Sequence, residues 1–204
     1  MRRFVDYGQL EEATVLAKEL APIKIPMLAV LGNHEFESGQ QQDVQHVLAD
    51  AGVIILDGDA VEILGIGFVG TKGFGGGFGE QALRPWGENS IKKFVREAVK
   101  ETLKLESALA KLRTEKRIAL LHYSPIRATV VGEPPDLSLS WSSRLEEPLN
   151  RYPVNAIFHG HAHRGSPEGR TQNNVPVYNV AMKLLAKTFL DQPPYRILEL
   201  PAAS

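Results

Sequence analysis

Cysteine is absent from all 204 residues. That excludes a disulfide scaffold, a thiolate metal site and a cysteine nucleophile. An excess of either charge is also lacking, since Lys and Arg total 23 against 24 for Asp and Glu, a formal net charge of −1. Dedicated nucleic-acid binders and surfaces built for anionic lipid carry a basic excess, so neither partner is expected. No apolar run approaches the roughly 18 residues of a membrane-spanning helix. No apolar stretch follows Met1-Arg2-Arg3-Phe4, which speaks against a signal peptide. What remains is the expectation of a cytoplasmic chain of one domain, 1–204, long enough for a sizeable core.

What is present alternates between helical and extended patterns, the mark of an α/β protein. Gln9 to Leu20 places Leu10, Ala13, Leu16, Ala17 and Leu20 on one helical face, stopped by Pro22. Gln41 to Ala51 reads as a second helix closed by Gly52, and Asn89 to Lys116 as a long charged one with Asn89 or Ser90 as N-cap. A short helix covers Ser143 to Arg151. Pro26–Leu31, Val53–Leu56, Ala60–Leu64, Ile66–Gly70, Arg117–Leu121, Asn155–Phe158, Val175–Val180 and Tyr195–Leu200 read as strands. Asp57-Gly58-Asp59 is a turn signal of the hairpin kind. The segment Gly70 to Gly79 carries five glycines after Thr71-Lys72 and reads as a flexible loop near a site mouth, with a phosphate cradle as the alternative. No internal repeat or linker divides the chain.

Three of the apolar strands run straight into polar residues able to hold a metal. Leu28–Leu31 leads into Gly32-Asn33-His34-Glu35, Ile118–Leu121 into His122, and Ala156–Phe158 into His159-Gly160-His161-Ala162-His163. Ligands of α/β sheets bind beyond the carboxyl ends of strands, so five of six histidines gather in one region if these strands are neighbours. His46 alone lies on a helix. Imidazole nitrogen and amide or carboxylate oxygen suit Mn, Fe, Zn or Ni. Each piece has a plainer reading: His122 as a hydrogen-bonded turn residue, and Gly-Asn-His-Glu as a helix cap. His159 differs in parity from His161 and reads as buried or supporting. Arg127 is a candidate phosphate contact or an ordinary surface arginine, and the Pro134-Pro135 and Trp141 region either rims the opening or is plain loop.

Taken in order, Gly32-Asn33-His34-Glu35, His122 and Gly160-His161-Ala162-His163 resemble the motifs of the calcineurin-like metallophosphoesterase superfamily. The resemblance spans nearly the whole chain. It implies a four-layer α/β/β/α sandwich of two mixed sheets, and hydrolysis of phosphate mono- or diesters with divalent metal ions, nominally two in the family. By position, Asn33, His122, His161 and His163 match metal ligands, and His34 matches the imidazole that assists the leaving oxygen. The family's Asp-x-His block has no counterpart here, Arg3 stands at the bridging Asp of Gly-Asp, and Asp6 matches an outer residue. The resemblance therefore implies a chain that begins inside the second motif, with one metal or none in place of two. It also implies an exposed sheet edge open to a homodimer partner, and a small phosphorylated substrate. A non-catalytic scaffold or protein-interaction domain is the alternative function.

Overall fold

The computed structural model describes residues 7–134 and 141–200. Helix α1 (Leu10–Leu20) starts at Gln9, where the Glu12 carboxylate accepts from the Gln9 and Tyr7 backbone N–H groups. Strand β1 (Met27–Ala29), helix α2 (Gln41–Asp50) and strand β2 (Val53–Ile55) follow, and β1 and β2 pair in parallel as a two-stranded sheet. Ala13, Val44 and Leu48 of the helices close over Ala29, Leu31 and Val53, which is the apolar stripe seen in the sequence finding its partner sheet.

The second sheet has six strands: β3 (Asp59–Ile63), β4 (Ile66–Thr71), β5 (Lys116–Leu121), β6 (Ala156–His159), β7 (Glu168–Arg170) and β8 (Pro176–Asn179). Their order is β3-β4-β5-β6-β8-β7, parallel from β4 through β8 and antiparallel at both edges. Helices α3 (Asn89–Lys111) and α4 (Glu146–Arg151) cover its outer face, with Leu105, Ala108, Leu109 and Leu149 packed on Val69, Ala119, Leu121, Ile157 and Val177. Helix α5 (Met182–Thr188) follows β8.

The two sheets meet at Gly70. A Cβ there would lie 2.7 Å from Val30 Cγ1 and 2.8 Å from the Leu56 Cβ, closer than carbon atoms approach. The layers are helix, sheet, sheet, helix, as the motifs imply, with the difference that only the six-stranded sheet is mixed.

Several local expectations are corrected. The Asp57-Gly58 turn carries the chain from one sheet to the other, so β2 and β3 are not a hairpin. The hairpin is β3–β4, whose two-residue turn places Leu64 and Gly65 at φ 52° and 77°, the mirror-image geometry that matches strand twist. Helix α3 ends at Lys111 and not Lys116, because Lys116 and Arg117 pair with Ile66 and Gly67 of β4; its N-cap is Glu88. Tyr195–Leu200 forms no strand, and Arg196 lies over the Tyr178 ring at 3.9 Å and pairs with Glu168 at 2.7 Å. Trp141 is buried beside Val130 and Ala162, a packing residue. No helix among the described residues is long and apolar enough to cross a membrane.

Candidate metal centre

The carboxyl ends of β1, β4, β5 and β6 converge. Beyond β1 the chain passes Val30, Leu31 and Gly32 to Asn33 and a 3-10 turn, His34–Phe36. The end of β5 delivers His122 directly, and β6 ends at His159, two residues before His161. His122 Nε2 lies 2.8 Å from Asn33 Oδ1 and 3.1 Å from His161 Nδ1. His122 Nε2 thus stands within hydrogen-bond distance of one polar atom from each of two other loops. Burial holds His122 well below the ordinary imidazole range, with the charges of His161 and Lys72 adding to the effect. It is therefore a neutral ring with a lone pair to offer.

These atoms fit one divalent ion. Imidazole nitrogen with amide oxygen is a set that Mn, Fe, Zn and Ni accept. The set carries no carboxylate, and among the described residues no group of three or more His, Asp and Glu side chains is arranged around a common ion position. Charge neutralisation by the protein is accordingly slight.

Neighbours fix these donors in place. A Cβ on Gly32 would fall 2.6 Å from His122 Cε1 and 2.8 Å from its Nδ1, so only glycine leaves the ring its position. His161 sits at φ 63°, a left-handed conformation unusual for a residue with a side chain and costing about 1–2 kcal/mol. Fully buried Asn179, at the end of β8, supports that loop: its Nδ2 donates to Ala162 O at 2.8 Å and Thr129 O at 3.3 Å, and its Oδ1 accepts from Ala181 N. His159 is wholly buried, with Nδ1 2.8 Å from Gly160 O and Nε2 2.8 Å from Thr129 Oγ1, and burial lowers it to about 4.

The Gly-rich segment is packed rather than a loose mouth loop. Lys72 O accepts from the backbone N–H groups of His122 and Tyr123 at 3.2 and 3.0 Å. Buried Glu101 of α3 accepts from Thr71 Oγ1 at 2.6 Å and Gly73 N at 2.9 Å, and its other oxygen meets Lys104 Nζ at 2.8 Å. The Tyr123 ring lies 4.7 Å from His161 and 5.3 Å from His122 between centroids, and burial first, then Glu37 and Glu101, pushes its hydroxyl up to about 12. Lys72, Glu101, Tyr123 and Asn179 were not singled out by the sequence for metal chemistry. The one sequence signal among them is the Thr71-Lys72-Gly73 run, which reads as a flexible loop near the site mouth with a phosphate cradle as the alternative.

His34 follows Asn33 and is half-buried. Its Nδ1 is 3.1 Å from Glu37 Oε1, within ion-pair distance but too poorly aligned for a hydrogen bond, and Asn33 Nδ2 donates to the same oxygen at 3.5 Å. His163 lies two residues past His161 in the same loop and is half-buried. Arg127 is exposed at the head of the turn Ala128–Val130, and His46 is exposed on α2. Arg3 and Asp6 lie outside the described residues.

Imidazole and amide donors at the strand ends of a two-sheet sandwich define the metallophosphoesterase class of fold. The chain belongs to the calcineurin-like phosphoesterase family, whose model matches residues 4–165. Among solved structures it is similar to the phosphopantetheinyl hydrolase PptH from Mycobacterium tuberculosis, with 12% identity, 96% of this chain and 82% of that chain covered, and a TM-score of 0.61. A second crystal structure aligns at 16% identity and a TM-score of 0.55, covering 84% of this chain and 63% of the other, so this chain spans less than two thirds of that one. Both likenesses speak to the fold. A search of curated proteins returned no match.

Proposed function

We propose that the chain is a metal-dependent hydrolase of phosphate mono- or diesters, with one divalent ion held by Asn33, His122 and His161 and with His163 beside it. The close approach of Asn33 Oδ1 and His161 Nδ1 to His122 Nε2 carries this reading. Family membership supports phosphoester hydrolysis as the reaction class. When bound, the ion supplies Lewis-acid polarisation of the phosphoryl oxygen and lowers the pKa of an attacking water. His34 stands next to Asn33 in the place of the acid that assists the leaving oxygen, with Glu37 Oε1 3.1 Å from its Nδ1. Arg127, exposed two residues beyond the β5 loop's Pro125, contributes a phosphate contact. A donor set without carboxylate makes the ion weakly held, which is the sense in which activity is impaired relative to a full two-metal site.

The test is metal content of the purified chain, measured with hydrolysis of p-nitrophenyl phosphate and bis(p-nitrophenyl) phosphate under added Mn²⁺. Turnover that needs the ion and disappears in His122→Ala is the expected result. Absence of both bound metal and turnover overturns the proposal and leaves a scaffold that kept the family's fold.

The proposal extends to assembly. β1 pairs with β2, and among the described residues its other edge has no partner strand. Open strand edges template pairing with another chain, so a two-fold dimer joined along β1 is the expected state. Sedimentation equilibrium decides it, and a monomer at tens of micromolar, roughly the range where weak interfaces form, counts against it.

A further inference from the structure

A cavity of about 330 Å³ opens between α2 and α3, beside the loops that carry His34 and His122. Leu31 and Leu56, both buried, supply its apolar floor, and the Phe36 ring stands at its edge. Two polar groups in its lining are unsettled. Gln41 Oε1, at the start of α2, is buried with no hydrogen-bond partner. Lys72 is only 9% exposed, yet among the described residues it makes no ion pair. Its Nζ donates to Gly73 O at 2.8 Å and lies 5.0, 5.0 and 5.5 Å from the ring centres of Phe36, Phe74 and Tyr123.

Three carboxylates share the cavity lining, and none forms an ion pair with Lys72; Glu97, at the surface, lies 3.8 Å from Lys100. Asp57 meets Lys104 Nζ through both oxygens at 2.9 and 2.8 Å, and Glu101 binds Lys104, Thr71 and Gly73. Burial lowers the Lys72 ammonium's pKa, Glu101, Glu97 and Asp57 oppose that only at a distance, and the aromatic faces offset part of the cost of leaving it without a contacting anion. The unpaired carbonyl oxygen of Gln41 carries a similar penalty until a donor reaches it. Both penalties are relieved by one molecule that brings an anionic group and a hydrogen-bond donor together on an apolar body. The cavity equals roughly eleven waters at about 30 Å³ each, the size of a single-ring acid.

We propose that this pocket binds a small organic anion bearing a hydrogen-bond donor at its far end, with the anionic group on Lys72 Nζ, the donor on Gln41 Oε1 and a flat apolar body over Leu31, Leu56 and Phe36. The pocket lies outside the imidazole cluster and needs no phosphate chemistry. Its occupancy stands or falls separately from the hydrolase assignment.

Isothermal titration of the full chain with 4-hydroxyphenylacetate tests the pocket. Phenylacetate, which lacks the donor, and 4-hydroxyphenethyl alcohol, which lacks the anion, serve as matched probes. The acid with both groups is expected to bind saturably, and each matched probe about tenfold more weakly. Gln41→Leu should bring the two acids level, and Lys72→Met should bring the acid and the alcohol level. Added EDTA should change nothing. No saturable binding to the unaltered chain, equal binding of acid and alcohol, or binding abolished by EDTA overturns the proposal. If Lys72→Met fails to fold, the probe comparison on the unaltered chain and on Gln41→Leu still decides it.

Discussion

Gly32 shows how much of the candidate centre depends on an absent side chain. A methyl at that position meets the His122 ring at 2.6 Å, so Gly32→Ala removes no donor yet turns one aside. We expect Mn²⁺ affinity to fall by about tenfold or more, the size seen when supports of a ligand are disturbed. Titration calorimetry on a variant shown by circular dichroism to be folded checks this, and unchanged affinity would mean the ring moves without loss. His159 acts through pH. Its ring titrates near 6.5 when unfolded and is lowered to about 4 in the fold by burial. Between those values the unfolded chain binds a proton that the folded chain refuses, so stability is complete above about pH 6.5 and drains away as pH falls toward 4. The full loss from this one ring is about 3 kcal/mol, and His122, also lowered by burial, adds in the same direction. Urea unfolding across that range should show the slope, and His159→Gln should flatten it.

Among the elements, α3 does more than cover the sheet. Glu101 projects from it to hold Thr71 Oγ1 and Gly73 N, and the same segment's Lys72 carbonyl receives the N–H groups of His122 and Tyr123. Glu101→Ala leaves two buried donors and Lys104 short of a partner, and should cost about 3 kcal/mol in urea unfolding. Glu101→Gln retains an acceptor and should cost clearly less.

The elements also show where the sequence was readable. α1, α2 and the apolar strands carried their own periodicity, and Asn33, His122 and His161 announced themselves by following buried strands. β7 escaped because Glu168-Gly169-Arg170 has no apolar residue, and pairing with β8 alone makes it a strand. α5 escaped because its seven residues offer barely two turns of pattern. Tyr195–Leu200 misled by alternating apolar residues that the fold leaves largely exposed, Tyr195 and Ile197 among them. Lys72, Glu101, Tyr123 and Asn179 could not be assigned their parts in advance, since each depends on a partner from a distant strand or helix.

At the scale of the molecule, an ion that binds only the folded chain stabilises it by mass action. At a hundred times the dissociation constant this is about 2.7 kcal/mol, or roughly 5–10 °C in melting temperature for a chain of this size. Calorimetric scans with and without Mn²⁺ should show that shift in the unaltered chain and lose it in His161→Ala. An identical shift in the variant would place the ion elsewhere.

The contact between Asn33 and His122 spans 89 positions of sequence and joins a loop of the small sheet to a strand end of the large one. Neither sheet can assemble the donors alone. The imidazole and amide groups meet where the ends of β5 and β6 face the loop after β1, across the close approach of the two sheets at Gly70. Such distant pairings form slowly, because loop closure must precede any gain from contact. On the proposed reading, an ion finds its full donor set only in the assembled two-sheet fold, so it would reward the finished structure and not a fragment of it.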